Sequence, residues 1–142
     1  MHAKKYLIAV IVVFVVYSAL AYVIHEVLLQ DDYEAVRHVF RSPEEFLRLM
    51  PLVYLGNLIL ALALCLIYAK GYEPGKNWVG QGLRFGLMVG TLLVPVALTQ
   101  YVVYPVTGML MVKWILFGYF QVLVAALFAA GIYHFPPPPK TL

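Results

Sequence analysis

Cysteine and charge are the two things this sequence has least of. Cys65 is the single cysteine of 142 residues, so no intrachain disulfide, no CxxC redox pair and no cysteine-rich metal site can form. A lone cysteine inside an apolar stretch reads as a small buried side chain. Charged residues make up 12% of the chain against 63% hydrophobic ones, with a mean hydropathy of +0.86. Soluble domains carry roughly 25% charge and 45–50% apolar residues, so this is the composition of an integral membrane protein. The formal net charge is +3, but the ten basic side chains are scattered through loops and helix ends. No basic cluster exists to bind nucleic acid. Opposed histidines are missing as well: His2, His25, His38 and His134 do not pair at one depth, which excludes a haem held across a bundle by two axial imidazoles.

Long apolar runs are what the chain has instead. The run at 78–105, WVGQGLRFGLMVGTLLVPVALTQYVVYP, carries no charge after Arg84 and exceeds the roughly 20 residues needed to cross the hydrocarbon of a bilayer. Three further runs, at 6–29, 49–69 and 109–133, have the same character. The first follows a short basic head, as a signal peptide would, yet its core is longer than about 7 to 15 residues and continues into His25 and Glu26, so it reads as a retained span. Four spans fill the chain, and the expected fold is an all-α four-transmembrane-helix bundle in one domain, residues 1–142.

Between spans one and two lies the only sizeable polar connection, QDDYEAVRHVFRSPEEFLR. Tyr33, Val36, Val39 and Phe40 recur there at helical spacing, which predicts a short amphipathic helix at the membrane interface. Ser42, Pro43 and Glu45 supply an N-cap, a proline at the first helical position and a capping acid three residues on, so a helix should start at Ser42 and run into span two. The turn KGYEPGKN joins spans two and three. After residue 133 comes HFPPPPKTL, which predicts an extended polyproline tail over 134–142.

Gly82, Gly86 and Gly90 stand four apart, on one face of span three, where the missing side chains admit a neighbouring backbone. Span four offers Gly118, Ala125, Ala126, Ala129, Ala130 and Gly131 for the same purpose. The stripe does not say whether the neighbouring helix belongs to the same chain. Asn57, Gln100 and Gln121 are amides inside spans and read as interhelical hydrogen-bonding groups.

An even number of spans places Lys4, Lys5, Lys70, Lys76, Arg84 and Lys140 on the side of the termini, against Arg37, Arg41, Arg48 and Lys113 on the other. The positive-inside rule then puts both termini in the cytoplasm. In this arrangement His25, Glu26, Asn57, Gln100, Tyr104 and Lys113 fall in the outer half of the bundle, a candidate ligand-binding cluster with a Glu26–Lys113 ion pair as its expected core. Tyr22, His25 and Glu26, at i, i+3 and i+4, would share one helix face. Tyr101, Tyr104, Trp114 and Tyr119 would suit a flat lipophile such as a quinone, although aromatics at this depth more commonly form interfacial belts. No metal set, nucleophile or phosphate cradle supports catalysis, with His25 or Glu26 as the only candidate bases.

Through HEVLLQDDY at the exit of span one and GKNWVGQGLRFGLMVG at the entry to span three, most of the chain resembles a family of small uncharacterised four-helix bacterial inner-membrane proteins. The resemblance implies the four-helix fold and a bacterial inner membrane, and brings no activity or cofactor. Two functions stay open on the sequence: an accessory or structural subunit of a larger membrane complex (or a homo-oligomer), and a binder or transporter of a small lipophile or ion at the outer polar cluster.

Overall fold

The computed structural model describes residues 3–134; the expected proline-rich tail lies outside the described residues except for His134. Four helices are long and apolar enough to cross a membrane: α1 (Ala3–Tyr22), extended by a π-helical turn (Val23–Leu28), then α3 (Pro43–Gly71), α4 (Trp78–Val103) and α5 (Gly108–His134). A short α2 (Gln30–Ala35) and a 3-10 turn (Arg37–Val39) join the first two spans. No strand occurs among the described residues. The all-α four-helix reading of the sequence therefore holds, for a reason that lipid imposes: backbone N–H and C=O groups find no water in hydrocarbon, so each must pair within its own helix.

Local chemistry sets the helix ends. Ser42 Oγ accepts from Glu45 N–H at 3.3 Å, with Pro43 next and Glu44 and Glu45 in the first turn, where acids oppose the helix dipole favourably. From this cap α3 runs 29 residues without a break, roughly 44 Å at 1.5 Å per residue, longer than a hydrocarbon core about 30 Å thick requires. Asn77 caps α4 by accepting from Val79 N–H (2.9 Å) and Gly80 N–H (3.2 Å). α4 passes straight through Pro95 and stops at Val103, two residues short of the span expected from hydropathy. Tyr104 precedes Pro105, whose ring drives the preceding residue out of the helical region, and it adopts an extended backbone.

The α3–α4 turn is tied by side chains. Gln81 exchanges hydrogen bonds with the backbone of Glu73 and also donates to the carbonyl of Lys76, while the Glu73 carboxylate takes both Lys76 and Arg84. Gly75 provides the one left-handed backbone position among the described residues, φ 82°.

α5 is the central rod. It shares its longest seam with α4, a second with α1, and α1 in turn carries α3. A β-carbon added at Gly82 would stand 3.0 Å from Ala130 Cβ, and one at Gly86 3.0 Å from Leu123 Cα. At Gly90 the Tyr119 ring occupies the place a β-carbon would need. The glycine stripe thus faces a helix of its own chain. Ala126 and Ala130 face the stripe from α5, and Ala125 and Ala129 of the same helix are also fully buried. α3 adds Ala61, Leu64, Cys65 and Tyr68 to the same core, and α1 adds Ala9, Val10 and Val13. Two amides stitch the helices together: Gln121 donates to the Tyr17 carbonyl at 2.9 Å and Asn57 to Ser18 Oγ at 3.2 Å.

The bundle is closed at the end that holds the termini, where Lys5 Nζ reaches the Tyr133 carbonyl, and open toward α2. α3 and α4 touch where Tyr68 lies edge-on to Phe85, ring centroids 5.4 Å apart, and form no long seam beyond it. From Pro51 to Ile59 every residue of α3 except Asn57 is exposed, and α4 from Pro95 onward is exposed except at Ala97.

Two outcomes follow. Gly86→Leu should weaken the bundle by about 1–3 kcal/mol through overpacking, whereas Gly56→Leu, where nothing lies within 4 Å of an added β-carbon, should change it by less than about 0.5 kcal/mol, both read from unfolding in mild detergent. Hydrogen bonds from Lys76 and then Arg84 hold the Glu73 carboxyl below its ordinary 4.5. A depressed acid stabilises the fold above its ordinary value and loses that contribution as pH falls through the lowered one. Melting measured from about pH 6 down to about pH 3 should therefore fall more steeply in the native chain than in Glu73→Gln.

Candidate functional site

The π-helical turn determines what happens at the open end. After Tyr22 the hydrogen bonds lengthen by one residue to i→i+5, closing with Leu29 N–H on the Ile24 carbonyl at 2.9 Å. That turn brings Leu29 inward to complete burial beside Ile24, Val36, Val106 and Leu110, a second small core separate from the main one. With Leu29 and Val36 pinned, α2 lies across the ends of α1 and α5. The sequence spacing of Tyr33, Val36 and Val39 is the apolar face of this cap, and Tyr33 and Val39 pack against the second core.

Two adjacent residues of α2 then meet two adjacent residues of α5. Lys113 Nζ donates to both oxygens of Asp32, at 2.9 and 2.7 Å. Trp114 Nε1 donates to the Tyr33 hydroxyl at 2.8 Å, and the same hydroxyl lies 2.6 Å from His25 Nδ1. The rings of His25 and Tyr33 stack at 5.9 Å, Phe40 sits edge-on to Tyr33 at 5.4 Å, and Tyr104 lies 6.1 Å from Phe40.

The Tyr33 phenol stays protonated. Burial pushes Tyr33 up to about 12; the bond from Trp114 opposes this, and the negative charges of Glu26 and Asp32 add to it. It keeps its proton throughout the physiological range. Indole can only donate, so Trp114 occupies one lone pair on Tyr33; toward His25 the phenol donates when Nδ1 carries no proton and accepts on its second lone pair when it does. A protonated His25 donates to that second lone pair, so the clasp accommodates either state of the ring.

The residues expected to form one cluster are divided among four places. His25, Tyr104 and Lys113 join a contiguous patch through Tyr33, Phe40 and Trp114. Glu26 does not pair with Lys113: it is exposed on the π turn, and Lys113 is taken by Asp32, because α2 folds back over the bundle and delivers its own acid first. The expected shared face of Tyr22, His25 and Glu26 assumed α-helical spacing, and the π turn changes that spacing between Tyr22 and the other two. Asn57 is bonded to Ser18, about two turns of α1 deeper than His25. Gln100 is exposed on α4 near its end, with no side-chain hydrogen bond among the described residues. Asp32 and Tyr33, missing from the expected cluster, are its centre.

The patch fastens α2 to α5 through Lys113 and Trp114 and to the π turn through His25. No group of three metal-ligating side chains occurs among the described residues. The aromatics considered for a quinone do not enclose one either. Trp114 and Tyr119 border a cavity of about 30 Å³ between α4 and α5, the volume of a single water, and Tyr119 is bonded to Thr91 at 2.8 Å. A larger groove of about 430 Å³ between α1 and α5 is lined by Leu20, Ile24, Leu116, Phe117 and Phe120 among others, with no hydrogen-bonding side chain to orient a ligand.

Removing the clasp should loosen α2. Tyr33→Phe leaves the Trp114 N–H without its acceptor and is expected to cost about 1–3 kcal/mol. The Asp32–Lys113 pair, with side chains 19% and 36% exposed, should show a coupling of about 0.2–1 kcal/mol in a double-mutant cycle, while the Glu26–Lys113 cycle should show none. Unfolding in detergent reads both. No protein-family model, curated protein or solved structure matches this chain, so its functional reading stands on this geometry.

Proposed function

We propose that this chain is a small accessory subunit of a larger membrane assembly, seated against a helix of a different membrane protein through the uncovered halves of α3 and α4. The observation that carries the reading is the exposure of Pro51–Ile59 on all sides of the helix, relieved only at Asn57. A helix in a bilayer gains little by hiding apolar side chains from equally apolar lipid; its specific association comes from close packing and interhelical hydrogen bonds. α5 has both along its length, whereas this half of α3 has one hydrogen bond to α1. Opposite it, the Gln100 amide stands exposed near the end of α4, a group that a neighbouring helix would satisfy. The clasped cap at α2 suits the same role, since it holds the ends of α1 and α5 rigid beside the opening. The proposed setting is a bacterial inner membrane, as the HEVLLQDDY and GKNWVGQGLRFGLMVG resemblance implies, with both termini cytoplasmic by the distribution of Lys and Arg.

Purification from the native membrane in mild detergent should bring down another membrane protein in fixed stoichiometry. A photo-crosslinking side chain at Leu55 or Val96 should form an adduct with that protein, and one at Leu7 or Leu116 should not. A chain that purifies alone and crosslinks only to lipid or to its own copies would overturn the heteromeric reading.

A further inference from the structure

Two hydroxyl groups in the main core are not accounted for by its packing. Tyr68 of α3 is 4% exposed and Tyr133 of α5 8% exposed, and neither hydroxyl oxygen has a hydrogen-bond partner among the described residues. Tyrosines near a membrane surface usually form a belt, the ring in hydrocarbon and the hydroxyl in water. These two cannot, since each oxygen has less than 1 Å² of accessible surface. Other tyrosines of the bundle have partners: Tyr6 donates to the Leu62 carbonyl, Tyr33 joins Trp114 and His25, and Tyr119 joins Thr91. Buried polar groups in native proteins are nearly always satisfied, by protein or by an ordered water.

The two orphaned groups belong to one cluster. Their ring centroids are 5.7 Å apart at 54°, with Tyr72 6.2 Å from Tyr68 and 6.1 Å from Tyr133, and Phe85 edge-on to Tyr68. The core around them is rings, aliphatic side chains and Cys65, with Tyr6 and Tyr72 packed against it, and no group of the described residues bonds to either hydroxyl. Each phenol offers one donor and has acceptor capacity. A guest that satisfies both must be small enough to sit among packed rings and able to donate and accept at once. We propose that Tyr68 and Tyr133 together hold one internal water molecule that bridges α3 to α5 inside the tyrosine cluster.

The bridge falls where the fold needs it. α3 leans mainly on α1 and has few direct contacts with α5, and the tyrosine cluster is where α3, α4 and α5 converge before α3 and α4 diverge toward α2. A water between two phenols adds polar, directional contact at that point of convergence, where the alternative is two unpaired hydroxyls sealed from solvent.

The test is a structure of the full chain in lipid nanodiscs at a resolution that shows ordered water, together with phenylalanine substitutions. A single solvent peak within about 2.7–2.8 Å of both hydroxyl oxygens is expected. Tyr68→Phe and Tyr133→Phe should each lower the melting temperature by about 4 °C, with the double variant well short of the sum, because the first substitution already strands the water. Tyr72→Phe, whose hydroxyl is not enclosed, serves as the control and should leave melting unchanged. Phenylalanine keeps the ring, so the variants retain the packing. A direct Tyr68–Tyr133 bond, a larger guest, or no density at all would overturn the proposal, and so would single variants that melt at or above the native temperature, the result expected of hydroxyls that bind nothing.

Discussion

Close approach of α4 to α5 is the constraint on which the other contacts depend. Lipid tails are as apolar as leucine, so helices in a membrane gain stability from each other by bringing backbones near enough for dense dispersion contact and hydrogen bonding. Gly82, Gly86 and Gly90 allow this from one side, and Ala126 and Ala130 of α5 allow it from the other. With α4 pressed against α5, the opposite face of α5 is left for α1, and α1 becomes the support for α3. The order of packing follows from where the small residues are, not from hydrophobicity, since α4, the least apolar of the four spans, forms the longest seam.

That order leaves α3 the least secured of the four. Its contacts are concentrated at Ala61, Leu64, Cys65 and Tyr68, toward the termini, and Asn57 supplies a single side-chain bond beyond them. Interhelical bonds of this kind are worth about 0.6 to 2 kcal/mol, enough to fix rotation of the helix but not to replace a packed seam. The α2 cap reinforces the other side of the molecule: Lys113 and Trp114 tie it to α5, and His25 ties it to α1. One seam is dense, the open end of α1 and α5 is clasped, and the flank between α3 and α4 has neither device.

The fold was legible because its signals are local and strong. Length and hydropathy located four spans to within a few residues, and Ser42-Pro43 with Glu45 announced the start of α3 through chemistry that needs no knowledge of the rest of the chain. The glycine spacing marked a face for close contact, although only the packed structure names α5 as its partner. The polar site was less legible because it depends on register between segments 81 residues apart. Pairing Glu26 with Lys113 assumed that span one stays α-helical to its end and that the connection leaves the bundle. The π turn and the burial of Leu29 break the first assumption and the fold-back of α2 breaks the second, and neither is encoded in any periodicity. Asp32 and Tyr33 stood in the sequence as adjacent residues of a loop, facing Lys113-Trp114, also adjacent, and that matched pair of dipeptides is the signal that could have been followed.

The contrast between the two ends bears on how such a molecule would meet a neighbour. The exposed half of α3 continues directly into the tyrosine-rich core, while the cap holds α1 and α5 at the far side. Motion of α3 about its packed half would swing Pro51–Ile59 across the opening without disturbing the α4–α5 seam, since α3 and α4 share little beyond Tyr68 and Phe85. The Asn57–Ser18 bond is the restraint such a motion would have to break, and it is a single neutral bond at 3.2 Å. The structure thus separates a rigid part, built on glycine against alanine, from a lightly restrained one, and the lightly restrained part is the more exposed.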